Sequence, residues 1–328
     1  MADLSTKYMG LDLKNPVIAG SSGLTATVEK VKECADAGAG AVVLKSIFEE
    51  QITAEVASIR EASGTSYWHP EAEEYIREYG RHHAAEAYVD LIKAAREAVD
   101  IPVIASVHCV SAGGWTEFAH KVELAGADAL ELNVYVLPSD PKRDGTANEQ
   151  VYFDVIEAVK NASKLPLALK IGHSFSSLSR TAVQLSKTTL DALVLFNRFY
   201  RFDFDIEKLR MVPAPYVSSP EEMAVPLRWV SILAGQVECD LCATTGVHDG
   251  AGVVKQLLAG AEAVQVCSTL YKNGIGHVGT ILNDVSGWMD DHGFASVADF
   301  KGKMSQDASE DPAAYERVQF MKGTGGVA

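Results

Sequence analysis

The chain has 328 residues, 47 % of them apolar and 22 % charged, which excludes disordered, collagenous and low-complexity scaffolds and is long enough for one large barrel domain. Its 29 basic and 44 acidic residues leave a net charge of −15. A surface this acidic repels phosphate backbones and anionic lipid, so no nucleic-acid or membrane role is expected, and an anionic ligand would need a locally positive pocket.

In chain order, Leu4–Leu13 reads as a hairpin ahead of the first strand. Eight short apolar runs follow: Pro16–Ser21, Ala41–Ser46, Ile101–Val107, Asp128–Val134, Pro166–Gly172, Asp191–Asn197, Asp240–Thr245 and Ala263–Ser268. They are continuous rather than alternating, as parallel strands covered on both faces require. Helical patterns lie between them at Val28–Ala37, Pro70–Val99, Thr116–Leu124, Gln150–Ala162 and Gly250–Leu258. Three of these close with Ala-Gly-Ala around Gly38, Gly126 and Gly260, where glycine suits a left-handed cap that turns the chain into the next strand. Arg198–Arg228 is too long for a simple connection and reads as a lid or binding loop. Ala295–Ala328 reads as a helical tail with a glycine-rich end. The pattern predicts a single-domain α/β fold over 1–328, a (β/α)8 TIM barrel with an N-terminal hairpin and a C-terminal helical tail.

In such barrels the chemistry sits at the C-terminal ends of the strands. The sharpest signals there are Lys45 and Lys170, lysines inside apolar runs. A buried ammonium costs several kcal/mol unless it meets an anion, so either an internal ion pair or an anionic ligand is expected. The last two strand ends, Thr245-Gly246 and Cys267-Ser268-Thr269, offer small residues where barrels bind phosphate through backbone N–H groups.

The segments Asn15–Gly23 (NPVIAGSSG), Val42–Ser46, Val103–Val107, Ala129–Asn133, Leu167–Ile171, Thr244–Gly250 and Leu257–Leu270 together resemble the dihydroorotate dehydrogenase family, in its soluble class. The resemblance covers the chain from about residue 4 to the tail. It implies an FMN-dependent oxidoreductase acting on a CH–CH bond in pyrimidine biosynthesis, with FMN at the barrel mouth. Ala19, Gly20 and Ser21 would line one edge of the ring. Lys45, Ser46, Ser106 and Asn133 would serve the ring and ribityl region, Lys170 the N1–O2 side, and Gly246, Val247, Cys267 and Ser268 the phosphate. Asn133 and Asn197 fall at substrate-contacting positions. The resemblance also implies a possible homodimer.

The family's general base, a Cys or Ser on the loop after the fourth strand, falls on Val136, which cannot accept a proton. The family's pyrimidine-binding loop after the second strand does not match at Gly64–Pro70, and Arg198 replaces a serine after Asn197. Tyr135, Ser139, His69 and His108 are the substitute bases within reach in sequence, all weak. The cofactor half of the site is therefore retained and the pyrimidine half rebuilt. This leaves an FMN enzyme on a small-molecule substrate other than dihydroorotate, or a flavin-binding barrel with no or regulatory activity. A phosphate-binding lyase or isomerase using Lys170 is the third reading.

Other groupings carry less. Cys34, Cys109, Cys239, Cys242 and Cys267 form no disulfide or iron–sulfur framework, and Cys239 and Cys242 open a strand on opposite faces. No metal site is expected. With no ~18-residue apolar run and no secretory signal in MADLSTKYMG, the chain reads as cytoplasmic.

Overall fold

The predicted runs form parallel strands because each is apolar on both faces, one facing the barrel interior and the other a layer of helices. The computed structural model describes residues 2–48, 85–108, 112–198 and 201–317. An antiparallel hairpin, β1 (Thr6–Tyr8) and β2 (Leu11–Leu13), comes first. Its two-residue turn, Met9-Gly10, has both φ angles positive (52° and 74°), as a tight hairpin turn requires. The barrel strands are β3 (Val17–Ala19), β4 (Ala41–Val43), β6 (Val103–His108), β7 (Ala129–Asn133), β8 (Leu167–Ile171), β9 (Ala192–Leu195), β12 (Asp240–Thr244) and β13 (Ala263–Val266). Each pairs in parallel with the next, and β13 pairs with β3 to close the ring. A short strand, β5 (Ile47–Phe48), adds to the end of β6.

The hairpin plugs the barrel floor. Ala41, Ala129, Ala168, Ala192 and Ala263 point inward there, and the space they leave is filled by Tyr8, Met9 and Leu13. The Ala-Gly-Ala phrases behave as predicted: Gly38, Gly126 and Gly260 have φ of 102°, 85° and 116°. The acidic residue after two of them then seals the sheet edge. Asp128 accepts from Val103 N (2.7 Å) and Glu262 from Leu241 N (2.7 Å), and Asp191 does the same for Leu167 N (2.8 Å). These contacts satisfy the opening N–H of a neighbouring strand.

Helices surround the sheet: α1 (Val28–Asp36), α2 (85–98), α3 (Ala112–Leu124), α4 (Gly145–Ala162), α5 (Leu178–Ser186), α6 (Ala224–Leu233), α7 (Gly250–Ala259), α8 (Ser268–Asn273) and α9 (His277–His292). The first part of the predicted Pro70–Val99 helix lies outside the described residues. Two expectations need correction. The tail up to residue 317 holds only the short 3-10 turns Val297–Asp299 and Pro312–Ala314. The long terminal helix is α9 instead, which packs on α7 and ends at Gly293 in a left-handed cap (φ 72°). The long sixth connection contains a hairpin, β10 (Phe202–Asp205) with β11 (Arg210–Pro213), and then already begins α6 at Ala224. No helix among the described residues is long and apolar enough to cross a membrane.

Candidate active site

The C-terminal strand ends surround a cavity of about 310 Å³, within the size range of small-molecule sites. Ser21, Ser22, Lys45 and Ser46 line it from the first two units, Asn133 and Lys170 from the ends of β7 and β8, and Phe196, Asn197 and Arg198 from the end of β9. Thr244 through Val247, Gln265, Cys267 and Ser268 form the wall after β12 and β13, and Tyr216 and Ser218 of the long sixth connection cover it. Among these lining residues there is no carboxylate and no imidazole, while three are cations. The charges of these lining residues are thus all positive, in contrast to the net charge of the whole chain, which suits an anionic ligand.

Most residues expected to hold a cofactor therefore converge, as does Asn197. Ala19, Gly20 and Ser106 do not line the cavity. Gly20 N continues the sheet to Val266 O (2.9 Å), and Ser106 lies one layer deeper. A chain of hydroxyls leads down to it, from Ser21 Oγ to Ser46 Oγ (3.1 Å) and from there to Ser106 Oγ (2.7 Å). Tyr88 closes that chain from α2, donating to Ser106 O (2.9 Å) and accepting from Ser106 N (2.8 Å). Lys45 is not a strand lysine. β4 ends at Val43, Lys45 N donates to Thr25 O (3.2 Å), and the side chain stands exposed at the mouth.

Lys170 is the lysine that remains inside. Its Nζ donates to Gln265 Oε1 (2.9 Å) and lies 3.7 Å from Glu131 Oε1, and Gln265 Nε2 donates to Glu131 Oε2. The internal ion pair and the exposure to the ligand cavity, posed as alternatives from sequence, coexist. Asn197 Nδ2 is pinned to Lys170 O (3.2 Å) and Val134 O (3.4 Å), tying the ends of β7, β8 and β9.

The phosphate-like corner keeps a glycine backbone in spite of its side chains. Thr245 and Gly246 are both left-handed (φ 75° and 79°). For a β-branched residue this conformation is costly, on the order of 1–3 kcal/mol. Thr245 Oγ1 donates to Phe196 O (3.2 Å), which partly offsets it. A Cβ on Gly246 would run into the Met223 backbone. Ser218 sits at the same corner, its N donating to Ser268 Oγ (2.8 Å) and its Oγ 3.2 Å from His248 Nε2. Burial first, and then the Lys272 ammonium, hold the His248 pKa below the usual imidazole range. Burial pushes the Cys267 thiol up, so it stays protonated at neutral pH.

Among the described residues, the candidate bases do not gather in the cavity. Val136 lines a separate depression with Tyr152 and Phe175, and its N–H donates to Tyr152 OH (3.1 Å). Tyr135 lays its ring over Gly172, where a Cβ would overlap ring carbons. Replacing Gly172 by alanine is expected to expel that ring and lower stability by about 1–3 kcal/mol, read as a lower thermal midpoint. An unchanged midpoint would mean that the ring does not depend on the glycine. Ser139 is exposed, and His108 Nδ1 donates to Asn133 O (2.5 Å). His69 and the Gly64–Pro70 loop lie outside the described residues. His173 lines a second depression of about 250 Å³ that shares Phe196, Asn197, Arg198 and Thr245 with the main cavity.

Two residues not singled out from sequence, and one whose partners were not, complete the site. Glu131 and Gln265 are polar positions in apolar strands, the same signal that marked Lys170. Arg198 is consumed by structure. Its Nε and Nη2 donate to Glu222 (3.0 and 3.4 Å), Nη1 to Tyr216 O (2.9 Å), and Nη2 also to Pro215 O (3.1 Å) and Val217 O (3.2 Å). Arg201 pairs with the same carboxylate.

The family model described as Dihydroorotate dehydrogenase matches residues 3–289. Among similar proteins is the dihydroorotate dehydrogenase B (NAD(+)) catalytic subunit of Thermoplasma acidophilum, 27 % identical over 311 residues, which covers 92 % of this chain and 99 % of that protein. The protein of the same name from Pyrococcus abyssi is 27 % identical over 316 residues, covering 91 % and 98 %. With a closed barrel, a cationic mouth and a family match over nearly its whole length, the chain belongs to the dihydroorotate dehydrogenase family.

Proposed function

We propose that this chain is an FMN-dependent oxidoreductase of the dihydroorotate dehydrogenase type whose substrate is not dihydroorotate. The observation that carries this reading is the cavity lined by cations and hydrogen-bond donors, with Lys170 at its floor and no carboxylate among its described lining residues. That donor set fits a flavin phosphate and an electron-rich ring edge. Gly246, Val247 and Ser268 would hold the phosphate, and Lys170, Asn133, Ser46 and Lys45 the ring and its side chain. Bound FMN would supply two-electron chemistry, taking a hydride from a substrate carbon.

The residues of the chain itself divide the remaining work. Lys170 places positive charge where negative charge develops. Asn133 and Asn197 orient a small molecule beside it. The side chain at 136 removes no proton, and its place beside Tyr152 is away from the cavity. Absence of a positioned general base typically costs ~10²–10⁴ in rate. The test is the visible spectrum of the purified protein followed by a dihydroorotate assay. Flavin absorbance with a rate far below that of the Thermoplasma acidophilum relative is expected. A colourless protein that takes up no added FMN sinks the cofactor assignment, and a rate equal to the relative's sinks the argument from Val136.

The relatives are named as catalytic subunits linked to NAD(+), which supports an assembly with further subunits for this chain as well. A homodimer would give cover to the apolar side chains of the β10–β11 hairpin, among them Phe202, Phe204 and Leu209. Sedimentation as a monomer at micromolar concentration would refute it.

A further inference from the structure

At the cavity floor three polar side chains from three strands meet inside an otherwise apolar barrel: Glu131 of β7, which lies beneath it, and Lys170 of β8 and Gln265 of β13, which line it. Glu131 is 1 % exposed and Gln265 2 %, while the Lys170 side chain reaches the cavity with 13 % exposure. A carboxylate can only accept, so it fixes the Gln265 amide with Nε2 toward Glu131 and Oε1 toward Lys170. The second carboxylate oxygen, Oε1, accepts no hydrogen bond among the described residues and faces the ammonium at 3.7 Å. A buried acid held in this way contributes little to stability beyond an apolar replacement. What it does do is cancel part of the Lys170 charge and hold the ammonium at one height in the floor.

The geometry points to Glu131 as a positioning residue that acts on the bound cofactor through Lys170, weakening the ammonium's preference for added negative charge and so lowering the cofactor's reduction potential. This inference rests on the FMN reading above. Without Glu131 the ammonium faces the cavity uncompensated, and Gln265 is free to turn its NH₂ toward it.

The experiment compares wild type, Glu131→Gln and Gln265→Met, each loaded with FMN. FMN affinity is measured by fluorescence quenching and the midpoint potential by reductive titration against an indicator dye. Glu131→Gln is expected to raise the ratio of reduced to oxidised FMN affinity at least tenfold, about 30 mV for a two-electron couple. Gln265→Met, which keeps both charges, should shift it by less than threefold, and a larger upward shift would show that the amide rather than the carboxylate charge sets the potential. In a Lys170→Met background, studied with excess FMN, the Glu131→Gln shift should fall below threefold. Wild type that takes up no FMN defeats the cofactor reading and this inference with it. With FMN uptake intact, a Glu131→Gln shift below threefold, a downward shift, loss of FMN from a folded variant, or a shift that persists without Lys170 overturns the inference alone. If Glu131→Gln does not fold, Glu131→Met/Gln265→Met, which removes the carboxylate and leaves an apolar floor around Lys170, decides by the presence or absence of the upward shift.

Discussion

Lys170→Met is expected to lower stability by about 3 kcal/mol and to abolish tight FMN binding. The first effect follows from burial. Glu131 is almost wholly enclosed, and its two neighbours are Lys170 and Gln265. Removing one member of such a pair strands a charge in a low-dielectric interior, at a typical cost of 3–5 kcal/mol. The 3.7 Å separation and the bridging amide place this pair at the lower end. For a barrel of this size that is a drop of roughly 5–10 °C in thermal midpoint. The double variant Glu131→Gln/Lys170→Met should recover most of the loss, since it leaves no uncompensated charge. FMN binding should not recover, because the cation facing the cavity is gone in both. A double variant as unstable as Lys170→Met would show that packing, not charge, sets the cost. A Lys170→Met variant that still binds FMN tightly would remove Lys170 from the cofactor site.

The barrel was legible because its signals are local. Continuous apolar runs, and Ala-Gly-Ala phrases ending in left-handed glycines at Gly38, Gly126 and Gly260, depend only on neighbours in the chain. The site was legible where polarity interrupts such a run, as at Lys170, and equally at Glu131 and Gln265. Those two went unread because one polar residue in a strand can face solvent, and only closure of the barrel decides that it does not. Lys45 shows the opposite case: an apolar run continued past the residue at which the backbone leaves the sheet. Arg198 stands out in sequence only as a departure after Asn197, and its partners could not be read. Its four acceptor residues lie between 215 and 222, and nothing in the spacing says that a loop folds back over the strand that precedes it. Likewise Thr245 takes, beside Gly246, a left-handed backbone that its branched side chain disfavours and that its neighbours in sequence do not announce.

Arg198 and Glu222 form the clip that holds residues 215–222 over the cavity, and breaking it is expected to open that segment. Arg198 follows β9, which ends at Leu195, after Phe196 and Asn197, and Glu222 lies in the 3-10 turn Pro220–Met223, where Ser219 N also donates to it (2.9 Å). Arg198→Ala leaves the carbonyls of Pro215, Tyr216 and Val217 without this donor, and charge-assisted bonds of this kind are worth about 1.5–3 kcal/mol. Arg198→Lys should fare little better, because a point-like ammonium cannot reach acceptors spread around a planar fork. Ser218 loses its anchorage with the segment, and with it the contacts to Ser268 and Gly246. FMN affinity should fall about tenfold, one hydrogen bond's worth, and limited proteolysis should cut between 215 and 222 in both variants but not in wild type. The clip also has a pH signature. Burial pushes the Glu222 carboxyl up, but the bonds from Arg198, Ser219 and Arg201 outweigh it and hold the group below the usual carboxylate range. A carboxylate lowered in the folded state adds stability that is complete above its unfolded value and is lost as pH falls through the folded one. Wild type should therefore resist cleavage at neutral pH and lose that resistance only on acidification below the ordinary carboxylate range. Arg198→Ala should be cut at every pH tested, and an Arg198→Lys protein that is as resistant and binds FMN as tightly as wild type would refute the clip.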